Sequence, residues 1–109
     1  MTYNVSGGSF VPEWTKITGT DPVDIFDHKT RAGILSVIVT ELAGATPSLT
    51  LEVFDGTTSY YLRYQKVMSA KETFVFNEPL GLDPDQRLRA TISAGAVDVC
   101  VVYLNPDQT

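Results

Sequence analysis

The chain has 109 residues, 43% hydrophobic and 19% charged, enough apolar material for one folded domain. Its formal net charge of −5 argues against nucleic acid or an anionic membrane as the main partner, because both select basic faces. No apolar run approaches the ~18 residues of a membrane helix, and a single cysteine, Cys100, rules out an internal disulfide or a cysteine-rich zinc site.

In chain order, "MTYNVSGGSFVPEW" (1–14) comes first. It has neither a charged n-region nor an apolar h-region, so no signal peptide is expected and the chain is expected to mature in a reducing cytoplasm. Asn4-Val5-Ser6 fits a glycosylation sequon that would go unused there. Tyr3, Phe10 and Trp14 follow no strand period, and Gly7-Gly8 separates them. Disordered segments are poor in aromatics. The pattern predicts an N-terminal arm over 1–14, docked on a neighbour or on its own domain, and a β-domain over 15–109.

"EWTKIT" (13–18) and "VDIFD" (23–27) are weak strand candidates. "GILSVIVTEL" (33–42) is a strong one, with Leu35, Val37 and Val39 on one face. "SLTLEVF" (48–54) alternates Leu49, Leu51 and Val53 against Thr50, Glu52 and Phe54. Asp55-Gly56 then signals a hairpin, because glycine accepts the positive φ of a primed turn. The returning strand, "TSYYLRYQ" (58–65), carries three tyrosines. With a two- or four-residue loop, Tyr60 and Tyr64 fall on the core face while Tyr61 and Arg63 point outward. Such a hairpin leaves only Tyr61 for a sugar-stacking platform.

"ETFVF" (72–76), "RLRATIS" (87–93) and "VDVCVVYL" (97–104) complete the strands, the last being the most apolar and expected to be central. Turn dipeptides at short spacing and no helical period predict an all-β chain: an antiparallel β-sandwich or jelly roll of seven to eight short strands with an extended N-terminal arm.

Catalytic signals are sparse. The single histidine, His28, lies near Asp24 and Asp27, but nothing resembles a nucleophile elbow, and a turn histidine is the expectation. Asp83 and Asp85 in "GLDPDQ" are too few for a calcium loop and read as a solvated turn. Cys100, between valines, reads as a buried thiol. No metal or cofactor is expected. Arg63, Arg87 and Arg89 could form a basic strip that meets acidic edges of another copy, or a solvated sheet face.

Asp55, Gly56, Tyr60, Tyr61 and Leu62 are followed by Pro79, Leu80 and Leu82, then by the acidic turn and alternating strand of Asp85 to Ala94, then by Val97 to Leu104. Over about residues 31–104 this order resembles small β-sandwich virion proteins of tailed bacteriophages, departing from it at "DPDQ". The resemblance implies a structural role without enzymatic activity or cofactor. It implies a capsid decoration (cement) protein bound to the outer capsid as a homo-oligomer such as a trimer, with the major capsid protein or other virion proteins as partners. A tail or head–tail component is the alternative within that class, and the virion, assembled in the host bacterial cytoplasm, is the implied location. A carbohydrate-binding module using Tyr61 and Trp14 is the reading from another class. The residues expected to touch a protein partner are Tyr3, Phe10, Trp14, Tyr61, Arg63, Arg87 and Arg89.

Overall fold

Alternating β-branched and leucine side chains need a second apolar layer to face, and here two antiparallel sheets supply it to each other. The computed structural model describes residues 3–5 and 8–105, with side chains from Phe10 to Leu104. The strands among them are β1 (Tyr3–Val5), β2 (Gly8–Ile17), β3 (Val23–Phe26), β4 (Ala32–Glu41), β5 (Ser48–Phe54), β6 (Ser59–Val67), β7 (Thr73–Phe76), β8 (Leu80–Leu82), β9 (Arg87–Ile92) and β10 (Val97–Asn105). A six-stranded sheet runs β1-β2-β10-β4, with β7 and β8 end to end along the far edge of β4. A four-stranded sheet runs β3-β9-β5-β6. No helix among the described residues is long and apolar enough to cross a membrane.

The core lies between the sheets. Val37, Val39, Val97, Val99 and Val101 come from the six-stranded sheet, and Leu49, Leu51, Leu88, Ala90 and Ile92 from the four-stranded one, all essentially excluded from solvent. Burying each of the larger side chains contributes roughly 1.5–3 kcal/mol. β10 is central as its composition predicted, hydrogen-bonded to β2 on one side and β4 on the other.

Two expectations are corrected. The boundary at 14/15 falls inside β2, whose residues Ser9 to Ile17 pair one-to-one with Asn105 to Val97. From Gly8 on, the segment read as an arm belongs to this long strand, where Phe10 and Trp14 share one face of the pleat, and Tyr3–Val5 pairs beside it, so its described residues lie on their own domain. In β4 the inward position belongs to Ile34 rather than Leu35, because Ser36 faces Val102 while Ile34 faces Tyr103. Leu35 is the extra residue of a bulge, which shifts the alternation by one. A similar irregularity in β3 pairs Asp24 with Arg89 and Phe26 with Leu88, so that consecutive Ile25 and Phe26 are both buried.

The β5–β6 turn forms where Asp55-Gly56 predicts it. Phe54 pairs with Ser59, leaving a four-residue loop. The Asp55 carboxylate accepts the backbone N–H groups of Thr57 at 2.9 Å and Thr58 at 2.7 Å. These bonds, Thr58's first, hold the carboxyl below its ordinary pKa. Gly56 has φ +97°, and a Cβ there would meet nothing closer than 3.9 Å. Gly56→Val is therefore expected to destabilise through backbone strain alone, by about 1–3 kcal/mol. Thermal melts check it, and an unchanged melting temperature would show that the loop tolerates a β-branched residue.

Candidate interaction surface

In an antiparallel sheet with one side packed and one side wet, the wet side should be polar. The six-stranded sheet breaks this rule. The registers place Trp14, Cys100, Ile38 and Val75 opposite one another in one row across β2, β10, β4 and β7. Their neighbours in each strand, Val99, Val37 and Val39 among them, point into the core, so this row points out. Trp14 is 68% exposed and Val75 47%, while Ile38 is half-buried. Cys100, at the centre of the row, is almost fully covered, and burial pushes its thiol pKa up. Farther along the same face lie Pro12 with Val102, then Phe10 with Leu104, all half-buried. The opposite end is closed by a polar row. There Lys16 donates to Asp98 at 2.7 Å, and the Thr40 and Thr73 hydroxyls lie 3.3 Å apart. A contiguous apolar face bounded by satisfied polar pairs is the anatomy of a protein-contact surface.

The outer face of the four-stranded sheet is different in kind. Arg89 and Arg87 lie over the Phe54 ring, 4.1 Å and 5.0 Å from its centroid. Asp24 accepts from Arg89 Nε at 3.0 Å, and Asp27 lies 3.7 Å from Arg87. Arg87 Nε is buried without a hydrogen-bond partner, 4.0 Å from Asp24. These arginines are neutralised locally by Asp24 and Asp27 and do not present a basic strip.

Arg63 does not join them. The strand β6 has two irregularities against β5, which place Arg63 opposite Leu51 and Lys66 opposite Leu49. Both cations therefore point to the core side at the rim, where their stems stay apolar and their heads reach water. Arg63 sits 4.9 Å over Phe76 and donates to Glu78 at 2.8 Å. Lys66 sits 5.0 Å over Phe74, with Glu72 at 3.3 Å. This charged clasp closes one open side of the sandwich.

The same irregularities overturn the expected burial of two tyrosines. Tyr60 does face Val53, the pairing of the four-residue loop, but it is 55% exposed at the sheet margin. Tyr64 falls in the irregular segment next to Gln65, which has φ +51°, and is 62% exposed. Tyr64 instead meets Tyr61 edge to face, ring centroids 4.7 Å apart. Accordingly, Tyr60→Ala is expected to cost about 0.5 kcal/mol or less. Tyr61→Ala should cost up to roughly 1 kcal/mol through the lost ring pair. Urea titrations check both, and a loss above about 3 kcal/mol for Tyr60 would restore it to the core.

Trp14 and Phe10 thus belong to the apolar face, Tyr61 to the outer side of the other sheet. Tyr3 pairs with Phe10 through the backbone, and its side chain lies outside the described residues. Trp14 and Tyr61 point away from opposite layers, so they do not form a common sugar platform. His28 Nε2 lies 2.6 Å from Glu13 Oε1, and the ring stacks on Phe26 at 4.2 Å. Asp24 and Asp27 are engaged with arginines instead. The cleft beside His28, lined by Phe26, Arg31 and Tyr103 among others, has a volume of about 30 Å³. That is room for a water rather than a metabolite. Asp83 lies 3.4 Å from Arg31, and its backbone carbonyl accepts from Gln86 N–H at 2.9 Å, closing the "DPDQ" turn.

No protein-family model matches the chain, and no curated protein does. Solved structures do. A pentameric capsid protein from metagenomic phage sequences superposes with a TM-score of 0.54 at 14% identity, over 86% of this chain and 61% of that one. The chain shares the fold of a phage capsid protein. It spans less than two thirds of that protein's length. The nucleoplasmin-like N-terminal domain of Drosophila FKBP39 superposes with a TM-score of 0.53 at 11% identity, over 94% of each chain.

Val75, Ile38, Val102 and Leu104 were missed as surface residues. The available signal was β10 itself: "VDVCVVYL" is apolar at both parities over most of its length. In a two-layer sandwich only one parity can face the core.

Proposed function

We propose that this chain is a structural subunit of a phage virion that assembles with copies of itself, and that it decorates the outer capsid as a cement protein. The observation that carries the reading is the apolar outer face of the six-stranded sheet, centred on Trp14. A solvated monomer has no use for it, whereas an assembly protein does. The shared fold with a pentameric phage capsid protein supports the virion setting. The role is structural, without an enzymatic reaction, and the partners are the major capsid protein and further copies of the chain.

Co-sedimentation with purified capsids and with purified tails tests this. Saturable binding to capsids that raises their resistance to heat supports the decoration role. Binding to tails alone would move the protein to a tail or head–tail position. Binding to neither, with a monomer in solution, would remove the virion reading.

A further inference from the structure

We propose that copies of this chain meet head to tail: the Trp14 face of one copy receives the β6 tyrosine flank of the next. This rests on the assembly reading above and names its contact. Two exposed apolar patches stand out among the described residues, and they are not alike. One is the Trp14–Ile38–Val75 row on the outside of the six-stranded sheet. The other is the Tyr61–Tyr64 pair on β6, the edge strand of the four-stranded sheet. They belong to different layers of the sandwich, so a contact between them leaves a free flank on one copy and a free bed on the other. That arrangement propagates until a ring closes, whereas a two-fold contact of one patch with itself stops at two copies.

Charge does not oppose a second copy at either place. The chain carries a net charge of −5, and like-charged copies repel unless they meet at neutral surfaces. The charges beside each patch are already engaged: Lys16 pairs with Asp98 beside Trp14, and Glu52, opposite Tyr61, is buried and accepts from the Ser59 hydroxyl. Asp21 and Asp85 are exposed and belong to neither patch. The chemistry of the two patches is also complementary. Tyrosine rings bring apolar faces with a hydroxyl tip, and Trp14 with Val75 offers a broad uncharged bed bordered by the Thr40 and Thr73 hydroxyls.

The test mixes two defective proteins. Trp14→Glu with Val75→Glu removes the bed, and Tyr61→Glu with Tyr64→Glu removes the flank. All four side chains are exposed, and circular dichroism verifies that each variant folds. Light scattering coupled to size-exclusion chromatography should find the native chain larger than a dimer and each variant monomeric, self-affinity falling roughly tenfold or more. An equimolar mixture should give a dimer, since one native bed meets one native flank. If the flank variant assembles like the native chain while the bed variant does not, the contact is two-fold and head-to-tail assembly is overturned, with the assembly reading intact. A native chain that stays monomeric at the highest soluble concentration overturns both.

Discussion

Glu41→Gln is expected to lower the melting temperature at neutral pH by roughly 5–15 °C. Glu41 is the last residue of β4 and is only 1% exposed, yet it carries a carboxylate. Its oxygens accept three backbone N–H groups: Gly44 at 2.8 Å, Ala43 at 2.9 Å and Lys71 at 2.9 Å. One side chain thereby fastens the β4–β5 loop to the β6–β7 loop. Gly95 has φ +75°, and a Cβ there would lie 3.1 Å from Glu41 Oε2, so the β9–β10 turn leans on the same anchor. A glutamine would turn an amide toward donors that need acceptors and would leave buried N–H groups unpaired.

The pH dependence of this anchor has a definite sign. The Lys71 N–H, then those of Ala43, Gly44 and Ala45, hold the Glu41 carboxyl below its ordinary value of 4.5 against the opposing effect of desolvation. A lowered folded-state pKa stabilises the fold fully above the unfolded value and is lost as pH falls through the folded one. Thermal melts between neutral pH and acid should therefore show stability falling below about pH 4.5, and falling less steeply in Glu41→Gln. Asp55 and Glu72 are also lowered, so the slope should shrink rather than vanish. Superimposable curves for the two proteins would show that Glu41 is not the anchor.

The sequence reading went wrong where backbone irregularity intervened. The strands at 37–41, 48–54 and 87–92 were legible because their period of two is nearly unbroken and their leucines and valines can face only one core, and β10 was legible as the central strand from its composition. β6 was not. "TSYYLRY" alternates as text, but its irregular pairing with β5 turns Arg63, expected to point outward, to the core side together with Lys66, and their heads find Phe76 and Phe74. An edge strand can absorb such shifts because one side has no ladder to keep. β2 was misread for a related reason. Phe10, Pro12 and Trp14 do share one parity, but it is the outer one, and the inner positions hold Val11, Glu13 and Thr15. Val11 is packed against the core, yet with polar residues beside it the strand lacked an apolar inner stripe. Its place in the sheet depends on pairing with β10 along nearly its whole length, which local pattern does not encode. Glu13 as the partner of His28 was hidden in the same way, since 15 residues and a change of sheet separate them.

Phe26→Ala is expected to cost about 3–5 kcal/mol, a large part of the stability of a domain this size. Phe26 is 2% exposed and meets Tyr103 edge-on at 4.8 Å across the two sheets, while His28 stacks on its face and itself meets Tyr103 edge-on at 5.2 Å. The void left by the ring would join the cleft of about 30 Å³ already lined by Phe26, Ala32 and Tyr103. Ala32 and Tyr103 sit on strands held in the sheet by β8 and β10 pairings, so the walls cannot easily collapse, and the cost should lie toward the upper end. Phe26→Leu keeps most of the volume and should cost about 1.5 kcal/mol or less. Equilibrium urea unfolding separates the two, and a loss under about 1 kcal/mol for Phe26→Ala would show that the ring does not bridge the sheets. The same substitution also divides folding from assembly. Phe26 touches neither the Trp14 bed nor the Tyr61 flank, so the folded fraction of Phe26→Ala should self-associate like the native chain. Trp14→Glu should do the reverse, keeping its melting temperature within a few degrees while losing its partners.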